Sequence, residues 1–87
     1  MASRFLRELT IRQLRALAAV HSDRSVTAAA KRLHLTQPAV TLQIRNLQAL
    51  AGLPLIQRTG EGMLLTDAGR EVLVLSERIE AAIADCE

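Results

Sequence analysis

Residues 25–47 read S-V-T-A-A-A-K-R-L-H-L-T-Q-P-A-V-T-L-Q-I-R-N-L, and this stretch decides the fold. Ser25 is placed to cap a short helix. Ala28, Ala29 and Ala30 leave that helix little side-chain bulk, so another helix can approach it closely, and Leu33 supplies a larger anchor. His34 and Leu35 form a turn, and Thr36 caps a further helix that tolerates Pro38 in its first turn, where an N–H has no intrahelical acceptor. Val40, Ile44 and Leu47 then fall on one stripe, which turns Thr36, Gln37, Thr41, Leu42, Arg45 and Asn46 largely away from the core. Two helices joined this tightly, with hydroxyl, amide and guanidinium groups facing outward on the second, suit insertion into a DNA major groove.

Upstream, Thr10 and Gln13 have capping-box spacing, and Leu9 with Leu14 has the spacing of a hydrophobic staple. Ile11, Leu14, Leu17, Ala18 and His21 recur with helical period, and the polar cluster Ser22-Asp23-Arg24 closes that helix. Downstream of Gly52 the pattern changes. Leu55–Arg58 and Met63–Leu65 read as two short strands around Thr59-Gly60-Glu61-Gly62, a small hairpin whose Arg58 can reach a phosphate beside the groove. Thr66 then caps a last helix, helped by Asp67. Along it Val72, Leu75, Ile79, Ala82 and Cys86 alternate at spacings of three and four, a coiled-coil-like seam that favours a partner helix. Ile83 borders the same seam.

Composition narrows the function. The chain has 87 residues, one aromatic side chain (Phe5) and a net charge of +2. One small domain is expected, built from closely packed Leu, Ala, Ile and Val helices, and no aromatic platform for single strands or RNA is available. The charge is divided. Residues 1–60 carry nine Arg or Lys against Glu8 and Asp23, whereas residues 61–87 carry seven acids against Arg70 and Arg78. A polyanion meets the first part and is repelled by the second. Cys86 is the single cysteine, so an intrachain disulfide is excluded and secretion gains no support. The N-terminal stretch is too short and too charged for a signal peptide, and no apolar run approaches a transmembrane length; a cytoplasmic protein is expected.

Catalysis finds no footing. His21 and His34 have no Cys or acid at metal-ligand spacing, Cys86 lacks a paired His, and Ser25 and Ser76 lack a general base. Gly60-Glu61-Gly62 lacks the full glycine pattern and the lysine of a phosphate loop. No enzyme activity, metal or cofactor is therefore expected. The DNA roles divide by reach. Gln37 suits an adenine edge or a phosphate, Thr36 a phosphate, and Arg45, one turn from Thr41, a guanine or the backbone. Leu42 is either ordinary surface or a contact for a thymine methyl. Arg24, Ser25, Lys31 and Arg32 position the duplex, together with Arg58, Thr59 and Gly60 of the wing. The rival reading is a protein-interaction module in which the basic face is incidental.

Four blocks carry a resemblance: I-R-Q-L-R-A-L-A-A-V, the 25–47 stretch, L-P-L-I-Q-R-T and L-L-T-D-A-G. From about Leu9 to Leu75 the chain resembles the N-terminal DNA-binding domain of LysR-type bacterial transcriptional regulators. The resemblance implies a mainly α winged helix-turn-helix with a small β-hairpin wing and a long C-terminal linker helix. The implied division is a DNA-binding domain over residues 1–65 and a linker/dimerisation helix over 66–87, with the larger effector-binding domain absent. Family DNA contacts map onto Thr36, Gln37, Pro38, Thr41, Leu42 and Arg45. The implied partners are double-stranded promoter DNA and a second copy of the chain, and the whole regulator is implied to be a tetramer that senses a small molecule. Three positions depart from the family pattern: Leu42 where Arg or another polar residue is common, Gln48 where an acid is usual, and Ile56 in place of Phe. Within the family the likeness leans toward activators of carbon-fixation (RuBisCO) operons.

Overall fold

A computed structural model describes residues 3–87; the first two residues of the expected 1–65 unit lie outside it. The chain runs through α1 (Arg4–Glu8), α2 (Ile11–Asp23), α3 (Val26–Leu33), α4 (Gln37–Ala51), β1 (Ile56–Thr59), β2 (Gly62–Leu65) and α5 (Asp67–Cys86). The order is that of a winged helix-turn-helix, with α3 and α4 as the helix pair, the hairpin as the wing and α5 as the long closing helix.

The capping residues read from the sequence start the helices. The hydroxyls of Thr10, Ser25, Thr36 and Thr66 each accept a backbone N–H three residues on, and the Gln13 side chain returns the bond to Thr10 N–H, completing the capping box. The helix ends are tighter than sequence alone conveys. Arg24 and His34, neither of them glycine, adopt left-handed backbone (φ 54° and 57°) to close α2 and α3. At the second of these the Leu35 N–H reaches back to the Ala30 carbonyl at 2.9 Å, a Schellman closure that turns the chain sharply into α4. The short helix α1, capped by Ser3, was not expected; its Phe5 packs on the core beside Leu9.

Two clusters form the interior, and α2 contributes to both. Ala16, Ala19 and Val20 of α2 meet Ala29 and Ala30 of α3 and Val40 and Ile44 of α4. Leu14 and Leu17, from the other side of α2, meet Leu47, Leu55 and Leu65. Each fully buried Leu contributes about 1.5–3 kcal/mol of transfer free energy. Val72, Leu73 and Ile79 of α5 close over the second cluster, so the last helix as far as Ile79 belongs to the same packed body as the wing.

The hairpin is antiparallel, with Ile56 opposite Leu65 and Thr59 opposite Gly62. Its reversal is thus shorter than the four-residue turn read from the sequence, which leaves Gly60-Glu61 at the tip. Positive φ falls on Gly62 (103°) rather than Gly60. Neither tip residue has the positive φ of a type I′ turn, and the geometry is that of a turn closed by a glycine in a bulge position. A Cβ on Gly62 would lie 2.6 Å from the Arg24 carbonyl oxygen, an oxygen that accepts the Met63 N–H at 3.0 Å. The wing is thereby tied to the junction between α2 and α3.

A second close approach fixes α5. A Cβ on Gly69 would lie 2.1 Å from the Leu55 carbonyl oxygen. Alanine ordinarily favours a helix over glycine by about 1 kcal/mol, but here the overlap reverses the sign. Gly69→Ala is expected to destabilise the fold by about 1–3 kcal/mol in urea unfolding. Gly60→Ala, at a tip residue with open space around it, should stay within about 0.5 kcal/mol of the parent.

Candidate nucleic-acid interface

Helix α4 presents its outward ridge as an open surface lined by Gln37, Pro38, Thr41, Leu42 and Arg45. Beside it runs a cleft between the helix pair and the wing, lined among others by Gln37, Thr41, Arg45, Gln48 and Arg58. No Asp or Glu lines either surface. Arg45 and Arg58 carry no ion pair among the described residues, so both guanidinium groups are available to an anion. The sequence places Arg58 on the first wing strand, within reach of a phosphate beside the groove; in the structure Arg58, opposite Met63 in the hairpin, lines the same cleft as Arg45.

The remaining sequence candidates divide by what already occupies them. Thr36 and Ser25 accept the N–H groups of Ala39 and Ala28 as helix caps, and each hydroxyl keeps its proton to donate outward. Lys31 is exposed one turn beyond Thr27 on α3. Arg24 is exposed at the left-handed junction. Arg32 pairs with the Asp23 carboxylate, which spends part of its donor set inside the domain. The Thr59 hydroxyl is engaged in the turn, accepting from Glu61 N–H at 3.1 Å and bonding the Gly62 carbonyl at 3.0 Å. Gly60 is exposed at the tip. Leu42 is 55% exposed on the outward face of α4, beside Pro38 on the same open surface.

Two residues outside the sequence candidates shape this surface. The Thr27 hydroxyl on α3 lies 3.3 Å from Gln37 Oε1, which links the first turns of the two helices and orients the Gln37 amide. Gln48 Oε1 accepts the backbone N–H groups of Leu55 at 2.9 Å and Ile56 at 3.4 Å. It anchors the start of the wing to the last turns of α4. Its departure from the acid usual in the family was visible in the sequence, but the bond partners were not. As a neutral amide it anchors the wing without setting a carboxylate beside Arg45 and Arg58.

Among the described residues no group of three or more His, Cys, Asp or Glu is arranged to hold a metal ion. No helix among the described residues is long and apolar enough to cross a membrane. The fold and this surface define a winged helix-turn-helix of the kind that reads nucleic acid. The profile described as bacterial regulatory helix-turn-helix protein, lysR family, matches residues 11–70, and the chain belongs to that family. It is 44% identical over 79 residues to the RuBisCO operon transcriptional regulator of Allochromatium vinosum, across 91% of this chain and 26% of the relative. It is 46% identical over 77 residues to the HTH-type transcriptional regulator CbbR of Rhodospirillum rubrum, across 88% of this chain and 26% of that one. The chain therefore spans about a quarter of the length of these relatives. Among solved structures, the CbnR DNA-binding domain in complex with DNA superposes with a TM-score of 0.82 at 37% identity, covering 90% of each chain. The BenM DNA-binding domain bound to catB site 1 DNA gives 0.83 at 27% identity, covering 90% of this chain and 88% of the other.

The anchor has a measurable weight. Leu55 is fully buried, so Gln48→Ala strands its N–H and is expected to cost about 1–3 kcal/mol. Amide exchange at Leu55 should rise, whereas Gln48→Glu, which keeps the acceptor, should leave that amide protected.

Proposed function

We propose that this chain is the DNA-binding module of a LysR-type transcriptional regulator, acting as a homodimer on a near-palindromic promoter site in the cytoplasm. Residues 36–47 enter the major groove and the wing, residues 58–63, lies over the adjoining backbone. The observation that carries this reading is the acid-free outward face of α4, with Gln37, Thr41 and Arg45 in line and unpaired Arg58 beside them. Gln37, Thr41 and Arg45 meet base edges, Leu42 offers an apolar contact of the kind a thymine methyl accepts, and Arg24, Ser25, Lys31 and Arg58 hold phosphates. The named relatives support control of carbon-fixation operons as the setting. In the whole regulator an effector-binding domain follows residue 87, senses a small molecule and brings dimers together as tetramers.

Residues 1–65 form the reading head and residues 66–87 the dimerising helix in this proposal, with Ala82, Ile83 and Cys86 as its exposed positions and Leu75 half-buried beside them. Val72 and Ile79 share the seam with the domain's own core, where they are partly buried. Beyond them Ile83 is 46% exposed, and an apolar groove along Phe5, Leu53, Ala68 and Val72 continues the seam. A second copy of α5 covers these side chains. Ile79 is thus a poor probe of dimerisation, because a charge there also enters the core.

Selection from a random duplex library, followed by anisotropy titration at matched salt, tests the DNA reading. Arg45→Ala is expected to lose about 1–3 kcal/mol against the selected duplex and to relax the preference at one base pair, and Gln37→Ala to weaken selection at another. Equal affinity of the parent for selected and scrambled duplexes would sink the assignment and leave the protein-interaction reading. For the dimer, Ile83→Lys should shift the sedimenting mass toward the monomer with little change in thermal stability; an unchanged dimer mass would remove Ile83 from the interface.

A further inference from the structure

Arg12 and Arg15 of α2 take no part in anything described above. Both are exposed, and among the described residues neither is paired with a carboxylate. With Leu33, Leu35, Ala39 and Gln43 they line a groove on the flank of the helix pair. At about 3.6 residues per turn, Ala39 and Gln43 stand across α4 from Thr41 and Arg45. The latter pair lines the cleft that holds Arg58. The two free arginines of α2 and the free arginine of the wing therefore flank α4 on opposite sides.

A major groove about 12 Å wide is bordered by a phosphate backbone on each side, and a helix with its side chains fills it. Cations on both flanks of such a helix meet the two strands separately. We propose that Arg12 and Arg15 hold phosphates of the strand bordering the groove on the side away from the wing, so that α4 is gripped from both backbones. This rests on the reading of α4 as the groove-entering helix. The groove's apolar floor of Leu33, Leu35 and Ala39 gives the arginine stems a surface to lie on and lowers the dielectric around their charges. A peptide is disfavoured as the occupant, because one wall of the groove is α4 itself, which the duplex surrounds.

The test uses the 87-residue chain and the duplex selected by the parent protein. Arg12→Gln, Arg15→Gln and the double variant are titrated between low and high salt, beside Arg12→Lys/Arg15→Lys. Each Gln substitution should lower the slope of log affinity against log salt by about 1 and reduce affinity roughly tenfold at 0.1 M salt, leaving base preference intact. The lysine pair should keep the parent slope. Neutral methylphosphonates at the backbone away from the wing should weaken the parent but not the double Gln variant. If the parent selects its duplex and the double Gln variant binds it with the same affinity and slope, the second grip is overturned while the α4 reading stands. If the parent itself fails to discriminate, both fall together.

Discussion

The close contact of α2, α3 and α4 through alanine is the constraint on which the rest of this molecule depends. Ala16 and Ala19 face Ala29 and Ala30 in the first core cluster, each almost wholly removed from solvent. Small side chains bring the helix axes close and leave few rotamers to choose among, so the angle of α4 is set by backbone geometry. A larger residue at any of these points would push α4 outward at a cost of about 1–3 kcal/mol. The direction of the recognition face follows from this packing. With a single aromatic residue in the chain, bulk is supplied instead by the leucines on the other side of α2, where the wing and α5 close the domain.

The second layer of the design is a set of backbone bonds that hold the wing to the helices. Arg24 carbonyl to Met63 N–H, Leu55 carbonyl to Thr66 N–H, and the Gln48 side chain to Leu55 N–H bind the hairpin at three places. The Thr66 hydroxyl adds a fourth by bonding the Pro54 carbonyl at 2.7 Å while capping α5. Most of these bonds use main-chain atoms, so a wing of only eight strand residues keeps its position relative to α4. Gly62 and Gly69 are the places where the approach is too close for any side chain. Electrostatics act on top of this frame. Arg12, Arg15, Arg45 and Arg58, which carry no ion pair among the described residues, flank α4, while most acids of the second half of the chain lie on α5.

Much of the fold was legible because its signals are local. Thr10, Ser25, Thr36 and Thr66 announce helix starts by hydrogen bonds that span three residues, and Val40, Ile44 and Leu47 announce a buried face by period alone. The hairpin was legible in kind but not in register. Glycines at both 60 and 62 permit reversal, and only the contact between Gly62 and the Arg24 carbonyl selects which of them carries the positive φ. The short helix α1 escaped because five residues give no period to read. For the site, the outward face of α4 was read directly, whereas the Thr27–Gln37 and Gln48–Leu55 bonds join residues whose partners no spacing rule predicts.

The sequence by itself determined the four longer helices, their order, the polar ridge of α4 and the separation of basic from acidic halves, since each of these depends on neighbours within a turn or on simple composition. Tertiary structure alone decided which cations remain free and which are spent. Arg32 is tied to Asp23 while Arg12, Arg15, Arg45 and Arg58 are not, and in the sequence all five are simply arginines. It also divided the apolar stripe of α5, giving Val72 and Ile79 partly to the domain's own core and leaving Ile83 exposed. The physical reason is the same in both cases: a side chain's availability is set by what distant segments place beside it, and that is fixed only once the helices have packed.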